Sequence, residues 1–128
     1  MKDILYVFVG GGLGSVLRYE VSVAWRYCVN NDYLCKSILP WPTLIVNVLG
    51  CFLIGLFYEY AGRWGLSNDI RLMLTTGLCG GFTTFSTFSY EGMSFIRTDH
   101  ITYYILYILL SIVLGAIAVA LPILIHEN

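Results

Sequence analysis

The stretch Ile101–Ile125 reads ITYYILYILLSIVLGAIAVALPILI and contains no Asp, Glu, Lys or Arg in 25 residues. A helix of ~20 apolar residues is long enough to cross the hydrocarbon core of a bilayer. Three other stretches also lack these charged residues: Ile4–Leu17, Trp41–Tyr58 and Leu72–Tyr90. We therefore predict an all-α integral membrane protein that forms a single four-helix transmembrane domain. Its predicted spans lie at about 4–27, 41–61, 70–96 and 101–125.

The composition excludes several other classes of protein. Hydrophobic residues make up 58% of the 128-residue chain and charged residues 12%, which is about half the charged share of a soluble domain. Such a chain is not disordered, and it is too small to bury so many apolar side chains in a soluble fold. Lys and Arg total 7 against 8 Asp and Glu, which argues against a nucleic-acid-binding surface. The sequence has no Ser-His-Asp, Cys-His or paired-carboxylate pattern, so we do not expect an enzyme.

The loops show no charge bias that would set the orientation of the chain in the membrane. We expect the first apolar stretch to be a retained span rather than a cleaved signal peptide, since no small-residue cleavage site follows it. With four spans, both termini lie on one side, and each side then carries the same number of Lys and Arg residues. The chain is therefore either oriented by some other feature or inserted both ways to pair with an inverted copy of itself. The cations are Lys2, Arg63 and Arg71 on the side of the termini, and Arg26, Lys36 and Arg97 on the other.

The four cysteines fall into two groups. Cys51 and Cys79 lie inside predicted spans, where we expect small packing residues. Cys28 and Cys35 share the loop after the first span, and their spacing matches no zinc signature. Whether this second pair forms a disulfide stays open at the level of the sequence.

The third span carries glycines and hydroxyl groups that are unusual at membrane depth. Residues 75–89, TTGLCGGFTTFSTFS, hold three glycines and seven hydroxyl side chains. Glycine costs a helix about 1 kcal/mol relative to alanine, so Gly80–Gly81 is a candidate break, and the carbonyl oxygens freed there would suit a hard cation. The alternative is a continuous helix in which Gly77 and Gly81 form a small face for close packing. Gly10 and Gly14 of the first span form a similar face.

Rings, hydroxyls and one amide at membrane depth could contact an anion. Phe85 and Phe88 are three residues apart and share a helix face, with Ser86 and Thr87 between them. Ring edges carry a positive partial charge, and hydroxyls donate hydrogen bonds. Asn47 is the strongly polar residue of the second span, and its amide either bonds to another helix or faces a permeant anion.

Four further polar residues are candidates for an ion path. Tyr107 and Ser111 lie four residues apart in the fourth span, deep enough to line a pore. Arg18 in the first span either extends to the membrane interface or draws anions into a vestibule. Glu91 ends the third span as either a solvated interfacial residue or part of a pore entrance.

The motifs resemble those of one known family. Residues 77–89, GLCGGFTTFSTFS, are similar to the third-helix signature of the Fluc (CrcB) fluoride channels. Residues 13–18 and 42–47, LGSVLR and PTLIVN, resemble the first- and second-helix motifs of that family. The resemblance covers nearly the whole chain.

This resemblance implies an antiparallel, dual-topology homodimer with two fluoride pores and a break in the third helix. It implies a structural sodium ion at the dimer interface, held by the backbone carbonyls of Gly80 and Thr83 from each subunit. The sequence departs from the family pattern at Gly115, where a serine is expected. The resemblance assigns the pore to Asn47, Phe85, Ser86, Thr87, Phe88, Tyr107 and Ser111, and the vestibules to Arg18 and Glu91.

We therefore expect a channel that passively exports fluoride across the plasma (inner) membrane and reduces its toxicity in the cytoplasm. The expected partners are the fluoride ion, a second copy of the chain and the lipid bilayer, but no nucleic acid. The alternative is a small multidrug-type, proton-coupled exporter, which would need an embedded acid such as Glu20. A third alternative is a non-transporting assembly subunit in which the glycines and Asn47 only pack helices.

Overall fold

The computed structural model describes residues 1–127, and no strand occurs in that part of the chain. The all-helical architecture predicted from the sequence is therefore confirmed. In chain order the elements are α1 (Lys2–Asn31), a 3₁₀ turn (Tyr33–Cys35), α2 (Trp41–Tyr60), α3 (Asn68–Leu72), a π-helical segment (Met73–Cys79), α4 (Gly80–Phe82), α5 (Phe85–Arg97) and α6 (Ile101–Glu127).

Three helices, α1, α2 and α6, are long and apolar enough to cross a membrane. Their bounds agree with three of the predicted spans, although α1 continues about one turn further, to Asn31. Pro42 lies in the first turn of α2, where its missing N–H costs no helical hydrogen bond. Large apolar side chains such as Phe8 and Ile112 are exposed on the outer surface, as expected for helices that face lipid.

The stretch predicted as the third span is not one continuous helix. Residues 68–82 run through α3, the π-helical segment and α4 without interruption. We call this stretch the first arm and α5 the second arm. Between the arms, Thr83 and Thr84 are extended, with φ/ψ of −80°/158° and −151°/118°. A break in the third span is therefore present, but it lies at Thr83–Thr84, two residues beyond the Gly80–Gly81 pair where the glycine content predicts it.

Glycines allow α1 and the first arm to pack backbone against backbone. A Cβ at Gly10 or Gly14 would overlap backbone atoms of the first arm, and a Cβ at Gly81 would overlap the carbonyl oxygen of Gly11. Small residues permit this close approach between helices in a membrane. The packing face predicted on Gly10 and Gly14 is confirmed. The face that the continuous-helix alternative assigned to Gly77 and Gly81 is also present, although that helix is interrupted beyond it.

The second pair of packed helices is α2 with α6. A Cβ at Gly55 of α2 would lie 2.6 Å from the carbonyl oxygen of Val119, so these backbones also approach closely. Gly115 is buried in the same contact, where the Cys51 sulfur would lie 3.4 Å from an added Cβ. Because α2 also contacts the first arm, its polar residue Asn47 lies beside the break.

The cysteines follow the division seen in the sequence. Cys28 and Cys35, left open above, are joined by a disulfide, with their Cα atoms 5.9 Å apart. The bond ties the last turn of α1 to the 3₁₀ turn. Cys51 and Cys79 are free thiols within the packed helices, where small packing residues were predicted.

Candidate functional site

The side chain of Asn47 holds the break between the two arms. Its Nδ2 donates to the Thr84 carbonyl oxygen at 3.1 Å, and the Thr84 N–H donates to its Oδ1 at 2.8 Å. These two bonds satisfy backbone groups that have left the helical ladder, which an apolar environment requires. Of the two roles that the sequence left open, Asn47 therefore performs the first, bonding to another helical segment. The pairing uses one of the two Nδ2 hydrogens.

The carbonyl groups of Gly80 and Thr83 lose their usual helical donors at the break. In an α-helix the carbonyl of residue i accepts from the N–H of residue i+4. For Gly80 that N–H belongs to Thr84 and donates to Asn47 instead. For Thr83 it belongs to Thr87 and donates to the Thr84 Oγ1 at 3.2 Å. The two residues that the resemblance assigns to sodium thus have the oxygen-donor chemistry that a hard cation needs.

Three aromatic rings form a row that leads from the surface of the chain into its core. The ring centroids of Phe85 and Phe88 are 5.8 Å apart, and those of Phe88 and Tyr107 are 4.9 Å apart. Phe85 is 79% exposed, whereas Tyr107 is 0% exposed. The tilted rings can present their positive edges to an anion. The structure brings these three predicted pore residues into one row.

Hydroxyl groups cluster at the beginning of the second arm. The Thr84 Oγ1 lies 3.3 Å from the Ser86 Oγ and donates to the Thr87 Oγ1 at 3.1 Å. Thr84 also caps α5 by accepting from the Thr87 N–H. Ser86 and Thr87 are exposed on the chain, so their hydroxyls are accessible from outside it.

Glu91 is anchored between helices and half-buried rather than solvated. The Thr43 hydroxyl donates to Oε1 at 2.6 Å, and the Tyr107 hydroxyl donates to Oε2 at 2.8 Å. Hydrogen bonds to a carboxylate are stronger than those between neutral groups, so Glu91 links α2, α5 and α6. Sequence reasoning missed Thr43 as a site residue. Its spacing was a usable signal, because Thr43 and Asn47 lie four residues apart on one face of α2.

Ser111 carries a buried hydroxyl that has no hydrogen-bond partner within the described residues. Leaving such a group unsatisfied costs ~1–3 kcal/mol, and most buried polar groups in proteins are paired. Gly115, one turn further along α6, contributes no hydroxyl. The unpaired hydroxyl of Ser111 therefore lies at a position where the sequence predicts part of the pore.

The larger of two cavities at the break opens on the surface of the chain. Its volume is about 530 Å³, and its lining includes Asn47, Gly80, Thr83 and Phe85. No atom lies within 4 Å of a Cβ built at Gly80. The predicted cation ligands and one predicted pore ring therefore line the same open cavity.

The smaller cavity brings Arg18 to the hydroxyl groups of α2 and α5. Its volume is about 210 Å³, and its lining includes Arg18, Thr43, Thr84 and Thr87. Arg18 is half-buried there. A fixed cation beside a small polar cavity attracts anions, which is one of the two roles that the sequence leaves open for this residue.

Known proteins resemble this chain from end to end. Residues 5–123 match the family described as "CrcB-like protein, Camphor Resistance (CrcB)". A protein of Phocaeicola vulgatus named "Fluoride-specific ion channel FluC" is 48% identical over 128 residues, covering 99% of this chain and 100% of the relative. Proteins of the same name from Bacteroides fragilis and Flavobacterium psychrophilum are 43% and 44% identical, covering 93% and 92% of this chain and 91% of each relative.

Proposed function

This chain belongs to the CrcB family, and on that premise we propose that it is a fluoride-selective ion channel. It is a multi-pass membrane protein and not an enzyme. Fluoride passes through it down its own electrochemical gradient across the plasma (inner) membrane, without ATP. The result is a lower concentration of fluoride in the cytoplasm.

The observation that carries this proposal is the interrupted helix between residues 68 and 97. Irregular backbone and hydroxyl groups persist at membrane depth only where protein buries them or where they line a path for water and ions. Here the break at Thr83–Thr84 lies beside a row of aromatic rings and a cluster of hydroxyls. The same chain is similar over 99% of its length to a protein named for fluoride.

The functional unit is an antiparallel, dual-topology homodimer of single four-span domains, in which the two arms together form the third span. The equal number of Lys and Arg on the two sides supports insertion in both directions. Phe85 is 79% exposed, and Gly80 borders open space. A second copy would cover both residues and close the larger cavity.

A sodium ion lies between the two subunits in this proposal, held by the backbone carbonyls of Gly80 and Thr83 from each. When bound, it supplies a positive charge that neutralises the carbonyl dipoles gathered at the two breaks. The support is the loss of helical donors at both carbonyls.

The pathway must replace the water that a small anion loses. Moving a bare ion into an apolar medium costs tens of kcal/mol, on the order of the Born estimate. The compensation comes from many weak donors, since one tight site would prevent the ion from leaving. The hydroxyls of Ser86, Thr87 and Ser111 donate along the path, and the ring edges of Phe85 and Phe88 contact the ion between them. Asn47 fixes the break, Arg18 attracts anions to the vestibule, and Glu91 orients Tyr107.

Ion efflux from liposomes tests the proposal directly. Vesicles loaded with potassium fluoride or potassium chloride receive the purified protein, a potassium ionophore sets efflux in motion, and an ion-selective electrode records the released anion. We expect rapid fluoride efflux with chloride efflux at background. Phe85→Ile should slow fluoride efflux by about tenfold or more, since an aliphatic side chain has no positive ring edge.

The matched control is Phe8→Ile, because Phe8 is also exposed but lies on the outer surface of α1. This variant should conduct like the unmodified chain. Equal leakage of fluoride and chloride through the unmodified protein would overturn the proposed function. Equal slowing by both substitutions would remove Phe85 from the pathway.

A further inference from the structure

We propose that the Cys28–Cys35 disulfide forms in only one of the two subunits of each dimer, which makes the assembled channel covalently asymmetric. The inference concerns the loop between α1 and α2, outside the ion pathway. It rests on the dual topology that belongs to the proposed function. Two chains of identical sequence would thus differ in redox state according to the side of the membrane that this loop faces.

The loop is folded so that the two cysteines oppose each other. Cys28 lies in the last turn of α1 and Cys35 ends the 3₁₀ turn, with a Cα–Cα distance of 5.9 Å, inside the range of about 4.4–6.8 Å in which disulfides form. The Asp32 N–H donates to the Cys28 carbonyl at 2.8 Å, and the Cys35 N–H donates to the Asp32 carbonyl at 3.3 Å. Backbone hydrogen bonds therefore hold the loop in the conformation that brings Cys28 and Cys35 together.

The loop is accessible to a redox partner in water. Residues 30–33, NNDY, are exposed, and both paired cysteines are only partly buried. The other two thiols lie within helices, and Cys79 is buried. Within the described residues, no group of three or more His, Cys, Asp or Glu is placed to hold a metal ion. The chemistry left to Cys28 and Cys35 is therefore thiol–disulfide exchange.

Opposite insertion places the two copies of this loop in compartments of opposite redox character. The bacterial periplasm oxidises protein thiols, whereas the cytoplasm keeps them reduced. The relatives described above are bacterial proteins. In a dual-topology dimer, one loop meets the oxidising compartment and the other the reducing one, so one subunit carries the disulfide and its partner carries two thiols.

The oxidation needs a partner of the thiol–disulfide oxidoreductase class in the periplasm. The thiolate of one cysteine attacks the disulfide of this oxidant, which forms a mixed disulfide and releases one thiol of the oxidant. The second thiolate then attacks the mixed disulfide and displaces the other sulfur. In sum, Cys28 and Cys35 lose two protons and two electrons, and the disulfide of the oxidant becomes two thiols.

The oxidised fraction can be counted on gels. Cells of a bacterial host with an oxidising periplasm are quenched in acid, and free thiols are blocked with N-ethylmaleimide in SDS. The disulfides are then reduced, and the thiols that this releases are labelled with maleimide-polyethylene glycol. Cys51 and Cys79 are blocked in the first step. We expect half of the chains to gain two labels, and Cys28→Ser to abolish the shift.

The orientation is measured separately with the same variant. In Cys28→Ser, Cys35 stays in the loop as a single reactive thiol, and a membrane-impermeant maleimide added to intact cells labels only periplasmic loops. We expect half of these chains to be labelled.

Two charge variants then shift the orientation of the chain in the membrane. Arg26→Gln with Arg97→Gln leaves one cation on the loop side and should raise the oxidised fraction toward all chains, while Arg63→Gln with Arg71→Gln should lower it toward none.

Agreement between the oxidised and periplasmic fractions, in the unmodified chain and in both charge variants, supports the proposal. If Cys35 is periplasmic in half of the chains but the disulfide occurs in nearly all or none of them, this inference is wrong while the proposed channel stands. If Cys35 lies on one side only, the dual topology fails and the inference fails with it. The efflux assay then decides independently whether a channel remains.

Discussion

In the proposed channel, Asn47 acts on the ion pathway through the Thr84 backbone, to which it is hydrogen-bonded. In Asn47→Asp the acceptor for the Thr84 N–H stays, but the donor to the Thr84 carbonyl at 3.1 Å is lost and a carboxylate oxygen faces that carbonyl. We expect a loss of ~1–3 kcal/mol in stability, the cost of an unsatisfied buried group, together with loss of fluoride efflux. Thermal unfolding and liposome efflux measure the two effects.

The matched control for this substitution is Asn31→Asp. Asn31 also donates to a backbone carbonyl, that of Tyr27 at 2.7 Å, but at an exposed position at the end of α1. Water can replace the lost bond there, so both stability and efflux should stay close to those of the unmodified chain. If the two substitutions have equal effects, the hydrogen bonds of Asn47 to the Thr84 backbone are not its contribution to stability or efflux.

At the same scale, the sequence predicts which residues belong to the site better than it predicts their contacts. The helical spacing and the family resemblance single out Phe85, Phe88 and Tyr107, and the structure places their tilted rings in one row. The bonds of Glu91 to Thr43 and Tyr107 were not predicted, because they join residues 48 and 16 positions apart. Such partners depend on how α2, α5 and α6 meet, and periodicity within one helix carries no information about that meeting.

At the scale of whole elements, the contact between α1 and the first arm depends on the absence of side chains. Gly81→Ala would put a Cβ against the Gly11 carbonyl, so the helices must separate. Overpacking of this kind costs about 1–3 kcal/mol. Gly12→Ala is the control, since nothing lies within 4 Å of its Cβ and alanine favours a helix by about 1 kcal/mol. The midpoint temperature of thermal unfolding in detergent should fall for Gly81→Ala. For Gly12→Ala it should stay equal to that of the unmodified chain or rise.

The sequence predicts that the third span is interrupted, but not the residues at which the interruption lies. Glycine content places it at Gly80–Gly81, but packing against α1 keeps these residues helical and the chain opens at Thr83–Thr84. The bonds from Asn47, 37 positions away in the sequence, stabilise the opening there. The π-helical turn at Met73–Cys79 was not predicted either, because no residue pattern distinguishes it from an α-helix. The apolar stretches themselves were predicted to within about a turn.

At the scale of the whole molecule, the isolated chain has an open cavity on one side. The larger cavity leaves Phe85, Thr83 and Gly80 open, although the first of these is a large apolar ring and the other two carry carbonyls that lack helical donors. Lipid could cover the ring, but it offers nothing to the carbonyls. In the proposed dimer, a second copy with a shared cation would satisfy both requirements, so we expect assembly and the cation to be coupled.

The substitution Gly80→Ala tests this coupling. Within one chain the added methyl meets no atom within 4 Å, and alanine favours a helix, so the fold of the subunit should not suffer. At a crowded interface the same methyl should reduce dimer formation by tenfold or more and weaken its dependence on sodium. Cross-linking of diluted protein in sodium or in an organic cation measures both, with Gly12→Ala as the control. If Gly80→Ala dimerises as well as the control and responds equally to sodium, Gly80 lies outside the interface and the cation site must be sought elsewhere.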